Sequence, residues 1–213
     1  MMQETAQTGN MTYKIDINKI INHIPGDMNE IEKFRSAVCI PLIENADGSF
    51  DVLFEVRASF VHDQPKDICL PGGKLENEES PLDGAIRELC EELKIEKEQF
   101  KFLGPLDVYH AESMVIYPFA GILSNYKNTF DDAEVEKIFR VPLNFFAETK
   151  PEIFKVNSKP EPDEDFPYER IQGGKNYKWR KRVTKQLFYQ YEDYCIWGLT
   201  AKIMRSFVET ILI

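Results

Sequence analysis

No apolar run in the 213-residue chain reaches the roughly 18 residues that a membrane-spanning helix needs, so no bilayer span is expected. The opening, MMQETAQTGN, lacks both a basic stretch and an apolar stretch. A cleaved secretory signal is therefore not expected there, and residues 1–12 are expected to form a disordered tail. Cysteine is scarce: Cys39, Cys69, Cys90 and Cys195 form no C-x-x-C pair, and the expectation is reduced, structural thiols in a cytoplasmic protein. The three histidines, His23, His62 and His110, show no metal-ligand spacing, and no Ser-His-Asp arrangement can be drawn. Positive charge is in deficit, with 26 Lys and Arg against 36 Asp and Glu. The net charge of −10 argues against broad binding to nucleic acid or to an anionic membrane. There is no internal repeat. A hydrophobic fraction of 43% suits a single domain with a full core, taken as residues 13–213. Association as a homodimer is left open.

Against these absences stands residues 70–95, LPGGKLENEESPLDGAIRELCEELKI. Ser80 is a good helix N-cap, Pro81 suits the first helical position, and Asp83 puts a carboxylate near the positive helix end. Leu82, Ile86, Leu89 and Leu93 recur at spacings of four, three and four, an apolar stripe that should dock on a sheet. Glu88, Glu91 and Glu92 stand at i, i+3 and i+4, within about a third of the helix circumference. That face is expected to point away from the centre of the stripe, towards the rim of a site. Like charges so placed repel by a few tenths of a kcal/mol per pair. A hard divalent cation, which takes oxygen ligands, would offset that repulsion. Gly72 and Gly73, just before the helix, permit positive φ and close backbone approach to a metal or phosphate. Alone, an E-x-x-E-E face reads as a solvated acidic surface. The spacing of the whole stretch weighs against that reading.

The stretch resembles the Nudix box, G-x5-E-x7-R-E-U-x-E-E-x-G-U with U aliphatic. Gly73, Glu79, Arg87-Glu88, Leu89, Glu91-Glu92 and Ile95 fill its positions, and Lys94 stands where the box has its last Gly. Residues 57–73, RASFVHDQPKDICLPGG, are similar to the upstream signature of coenzyme A pyrophosphatases, R-S-x-x-L-x-x-H-x-G-E-V-x-F-P-G-G. Arg57 and Pro71-Gly72-Gly73 fit it, whereas Gln64 replaces His and Lys66 replaces Gly. Glu134-Val135, Val141-Pro142-Leu143 and residues 196–201, IWGLTA, resemble later segments of the same branch. Together these cover residues 35–212.

The resemblance implies an α/β fold, an α/β/α sandwich with a mixed sheet and a loop-helix-loop catalytic motif. It implies a Mg²⁺- or Mn²⁺-dependent pyrophosphohydrolase acting on a small-molecule nucleotide. Glu88, Glu91, Glu92 and the Gly73 carbonyl would hold metal, Arg87 would orient the glutamates, Glu79 would reach metal through water, and Glu134 is the candidate general base. The implied substrate is coenzyme A or an acyl derivative, cleaved to 3′,5′-ADP and a 4′-phosphopantetheine product. ADP-ribose or another nucleoside diphosphate derivative is the alternative within the class. A nucleotide sensor that binds without cleaving is the alternative outside it, against which the intact Arg87, Glu88, Glu91 and Glu92 speak. Candidate substrate-binding residues are Arg57 and three members of a basic cluster, Lys178, Arg180 and Arg182, a landing site for a substrate phosphate or else a solvated strand edge. Tyr109, Tyr117 and Phe119 read as core packing before adenine stacking.

Alternation of apolar residues predicts strands over residues 36–43, 50–57 and 67–70, then a pair over 102–109 and 114–123. Residues 134–140 lead into a short helix near 143–148, a late strand covers 187–191, and a closing helix covers 197–212. Residues 159–167, KPEPDEDFP, read as an excursion within the domain.

Overall fold

The computed structural model describes residues 34–111 and 113–211; the expected tail over 1–12, the domain start at 13 and His23 lie outside them. Strands β1 (Phe34–Glu44) and β2 (Phe50–Arg57) form a hairpin. Its turn is set locally: the Asp47 carboxylate accepts the Ser49 N–H at 3.0 Å and the Ser49 hydroxyl at 2.7 Å. Strands β3 (Ile68–Cys69) and β4 (Gly72–Lys74) follow, then helix α1 (Pro81–Leu93). Next come β5 (Phe100–Pro105), β6 (Tyr109–His110), β7 (Met114–Leu123) and β8 (Val135–Pro142). The chain closes with α2 (Leu143–Glu148), β9 (Glu152–Ser158), β10 (Arg182–Tyr191), β11 (Tyr194–Trp197) and α3 (Gly198–Ile211).

Among the described residues, eight strands make one mixed sheet in the order β3-β2-β1-β7-β5, with β8 on β2, β4 on β1 and β6 on β7. The β1–β7 pairing is parallel, running from Phe34 opposite Met114 to Leu42 opposite Ile122; the other pairings are antiparallel. Because strand side chains alternate, each strand feeds two cores. Ala37, Cys39 and Leu53 join Ala85, Leu89 and Leu93 of α1 on one face. Ile40, Leu42, Val52, Phe54 and Val56 join Met204, Phe207 and Val208 of α3 on the other. The result is the expected layered α/β/α arrangement. Among the described residues no helix is long and apolar enough to cross a membrane, and all four cysteines are free thiols.

The second sheet, β9-β10-β11, is antiparallel and was legible only in part. Tyr189 and Ile196 anchor it in the α3-side core. Every β9 residue is exposed, so this strand lacks the buried periodicity that marks the others. Strand β10 starts at Arg182 rather than 187. Trp197 belongs to β11, opposite Phe188, rather than to the closing helix, which begins at Gly198. Residue 212, the expected helix end, lies outside the described residues.

Candidate active site

Helix α1 begins as its sequence dictates. Ser80 Oγ accepts the Asp83 N–H at 3.2 Å, and Pro81 needs no N–H partner at the first position. It ends at Lys94, in the left-handed region at φ 53°, ψ 51°, whose N–H bonds the Cys90 carbonyl. The turn normally served by Gly is thus kept by Lys, and the neighbouring loop secures it. Lys94 Nζ pairs with Asp131 Oδ2 at 2.9 Å, Thr129 Oγ1 donates to the Leu93 carbonyl at 2.7 Å, and the Asp131 N–H donates to the Glu92 carbonyl at 2.7 Å. Lys66, which also replaces a Gly of the resembled pattern, likewise adopts positive φ, at 64°.

Arg87 organises the acidic face. Its Nε and Nη2 meet Glu79 Oε1 and Oε2 at 2.9 and 3.0 Å, a bidentate grip. Its Nη1 donates to Glu88 Oε1 at 2.9 Å and to Glu91 Oε2 at 3.2 Å. Glu79 also accepts the Glu76 N–H, and Arg87 foremost holds its carboxyl below the usual carboxylate range.

Glu92 departs from the expectation that all three glutamates face the rim. Its side chain is buried, with the residue 4% exposed, whereas the Glu91 side chain is 61% exposed. Seven residues on an α-helix return to within about 20° of the starting direction, so Glu92 lies over Ala85, which is fully buried against the sheet. The stripe drawn from Leu82, Ile86, Leu89 and Leu93 omitted Ala85 and so set the acidic face too far from the sheet. Burial first, then the neighbouring Glu88 and Glu134 charges, raise the Glu92 carboxyl above its ordinary value, against the pull of a 2.7 Å hydrogen bond from the Gly72 N–H and of Arg57. Burial likewise raises Glu88.

The two glycines are required by contact. Gly72 has φ 147°, and a Cβ there would collide with the Ala37 carbonyl oxygen and Val38 Cα of β1. A Cβ on Gly73 would stand 2.6 Å from both carboxylate oxygens of Glu88. The Gly72–Gly73 backbone and the glutamates therefore meet in one place.

Glu134, immediately before β8, is exposed; its carbonyl accepts the Ala58 N–H at 2.8 Å, next to Arg57, and its charge raises Glu55, Glu88 and Glu92. Arg57, whose Nε donates to the Asp63 carbonyl at 3.1 Å, acts on Glu55 and Glu92 in the opposite sense. Lys178 and Arg180 lie exposed in the loop before β10, and among the described residues no hydrogen bond or ion pair joins either to the box glutamates. Arg182 opens β10 opposite Ser158. His62 and His110 are exposed, and Phe119 packs in the α1-side core.

Sequence reasoning missed Glu55. It lies inside β2, 1% exposed, and its Oε1 has no hydrogen-bond partner. The available signal was an acid in the interior of the strand FDVLFEVR, two residues from Leu53 on one side and Arg57 on the other, whereas Asp51 lies near the strand's start.

Among the described residues, no three His, Cys, Asp or Glu side chains already form a ligand set: Arg87 holds Glu88 and Glu91, and Glu92 turns to the Gly72 N–H. The donor chemistry nonetheless fits a hard divalent cation. Every candidate side-chain ligand is a carboxylate, burial disfavours the charge of two of them, and the side-chain-free Gly73 leaves the Glu88 carboxylate room against the backbone.

The Nudix domain model matches residues 33–161, more than half of the chain. Nudix hydrolase 15, mitochondrial, of Arabidopsis thaliana is 29% identical over 213 residues, covering 95% of this chain and 66% of that protein. Peroxisomal coenzyme A diphosphatase NUDT7 of Mus musculus is 27% identical over 139 residues, covering 62% of this chain and 56% of that protein. The chain thus spans less than two thirds of the length of either relative. A MutT/nudix family protein from Enterococcus faecalis shares the fold, with a TM-score of 0.51 at 12% identity over 92% of this chain and 70% of that one. With its glutamate face, its glycine loop and a family model matching over more than half its length, the chain belongs to the Nudix hydrolase family.

Proposed function

We propose that the protein is a metal-dependent pyrophosphohydrolase that cleaves coenzyme A or acyl-coenzyme A to 3′,5′-ADP and the corresponding 4′-phosphopantetheine. The observation that carries the hydrolase reading is the convergence of Glu88 and Glu92 on the Gly72–Gly73 backbone beside Glu134. A phosphoric anhydride is already a good leaving system, so the protein's contribution is positioning and charge. Glu88, Glu91, Glu92 and the Gly73 carbonyl would hold Mg²⁺ or Mn²⁺. A bound cation would supply charge to neutralise the pyrophosphate and to activate water.

The remaining work falls to the chain. Arg87 keeps Glu88 and Glu91 oriented and spends its fork on Glu79, so it positions rather than touches substrate. Glu134, exposed and close to the buried glutamates, accepts the proton of the attacking water. Arg57 and the cluster of Lys178, Arg180 and Arg182 receive substrate phosphates. A net charge of −10 makes such local cations important for binding a polyanion.

The coenzyme A assignment is supported by Arg57 and Pro71-Gly72-Gly73, and by a relative named as a coenzyme A diphosphatase. Gln64 and Lys66, which depart from that signature, keep ADP-ribose and related diphosphates in the comparison. A cytoplasmic location belongs to the same proposal, beside relatives whose names say mitochondrial and peroxisomal. The test is product chromatography with coenzyme A, dephospho-coenzyme A and ADP-ribose. Formation of 3′,5′-ADP from coenzyme A supports the assignment, and a clear preference for ADP-ribose overturns it.

A further inference from the structure

A strand interior that faces a packed helix ordinarily carries apolar side chains, because a carboxylate there loses its hydration and gains nothing unless donors or a cation replace it. Glu55 breaks that rule. By alternation along β2 it shares the α1-facing side with Leu53 and Arg57, not the α3-facing side of Phe54 and Val56. Its register partners are Cys69 on β3 and Ile138 on β8. The Cys69 thiol reaches Glu55 Oε2 only at 4.0 Å, and Oε1 is without any partner. Among the described residues Arg57 is the cation that acts on it, and Arg57 turns its Nε to the Asp63 carbonyl. Glu92, reaching in from α1, and Glu134 are the acids that act on it.

We infer that Glu55 is a further carboxylate of the divalent-cation site, contributed from the sheet beneath α1 while Glu88, Glu91 and Glu92 are contributed from the helix. This rests on the metal-dependent reading given above. The packing alone gives no reason for an acid here, since Leu53, one position along the same face, fills its place with hydrocarbon. Added cation charge supplies the missing partner: it would offset the repulsion among Glu55, Glu92 and Glu134 and would satisfy the free oxygen. The chain then has a site that is strained as a cluster of acids and relieved by the ion it binds.

The test is Mn²⁺ binding to the full chain, read from the electron paramagnetic resonance signal of free Mn²⁺, with metal-free melting temperature measured alongside. Glu55→Gln removes the charge and keeps the shape, and Glu55→Met removes the polar oxygens as well. Each is expected to weaken Mn²⁺ binding tenfold or more while melting at or above the wild-type temperature without metal. Glu92→Gln serves as the reference for a helix ligand. Mn²⁺ affinity within threefold of wild type in both Glu55 variants, with Glu92→Gln weakened, would overturn the inference and leave the metal-dependent reading standing. Metal-free melting several degrees lower in both Glu55 variants would also overturn it, by making Glu55 a structural core group. Absence of Mn²⁺ binding in the wild type would overturn both readings together.

Discussion

Arg87 grips Glu79 through two parallel hydrogen bonds, Nε to Oε1 at 2.9 Å and Nη2 to Oε2 at 3.0 Å, and spans Glu88 and Glu91 with its remaining nitrogen. Glu79 belongs to the loop before α1, so the grip ties loop to helix as well as ordering the acids. Lysine keeps the charge and lacks the fork. Arg87→Lys is therefore expected to lower stability measurably, because one or two charge-assisted hydrogen bonds are lost. Turnover is expected to fall about tenfold or more as Glu88 and Glu91 lose their orientation. Urea unfolding and steady-state kinetics check the two parts, and unchanged stability would mean that the grip ties nothing.

Glu92→Gln separates folding from chemistry. The amide oxygen can still accept the Gly72 N–H, while the change removes a charge that burial disfavours. The metal-free variant is expected to melt above the wild type. Turnover is expected to drop by about 10² or more, because a site charge worth several kcal/mol in the transition state is lost. A near-wild-type rate at low metal concentration would remove Glu92 from the ligand set.

Lys94 holds a left-handed conformation at some cost and recovers part of it through Asp131. Lys94→Gly relieves about 1 kcal/mol of backbone strain and forfeits a solvent-screened ion pair that offsets only part of that gain. A small upward shift in melting temperature is expected, with catalytic constants within a few-fold. Lys94 holds the Asp131 carboxyl below its usual range. That contribution is present above the ordinary carboxylate pKa and is lost as pH falls through the lower folded value. The acid-side loss of stability should thus be smaller in Lys94→Gly than in wild type, as melting curves from pH 6 down to pH 3 would show.

The elements that were legible in sequence are those with buried periodicity and strong punctuation. Strands β1, β2 and β7, and helix α1 with Ser80 and Pro81 at its start, carry both signals. The box glutamates were singled out by their spacing and by the pattern it resembles. What spacing did not give was depth: Glu92 is buried because Ala85, one heptad earlier, faces the sheet, and a small residue is easily left out of an apolar stripe. Strand β9 was illegible because none of its side chains is buried. Glu55 was illegible because its meaning depends on what packs over β2, which is a tertiary fact.

The 3′-phosphate distinguishes coenzyme A from dephospho-coenzyme A and from ADP-ribose. If Lys178, Arg180 and Arg182 receive it, one or two charge-assisted hydrogen bonds are at stake, about ten- to a hundredfold in kcat/KM. An Arg180→Ala, Arg182→Ala double variant is expected to lose the preference for coenzyme A, and the wild-type preference should weaken with added salt. Equal preference in both proteins would return the cluster to a solvated loop.

As proposed, the glutamate face of α1 works through a divalent cation on a nucleoside diphosphate bond. The most direct measurement is product formation from coenzyme A by wild type and Glu92→Gln after exhaustive chelation, then with Mg²⁺, Mn²⁺ or Ca²⁺ restored. The expected result is no turnover without metal, turnover to 3′,5′-ADP with Mg²⁺ or Mn²⁺ in wild type alone, and a poor response to Ca²⁺, whose larger and looser shell positions water less well. Full activity in the chelated wild type, or equal rates in the two proteins with metal restored, would rule out a metal-dependent role for this face.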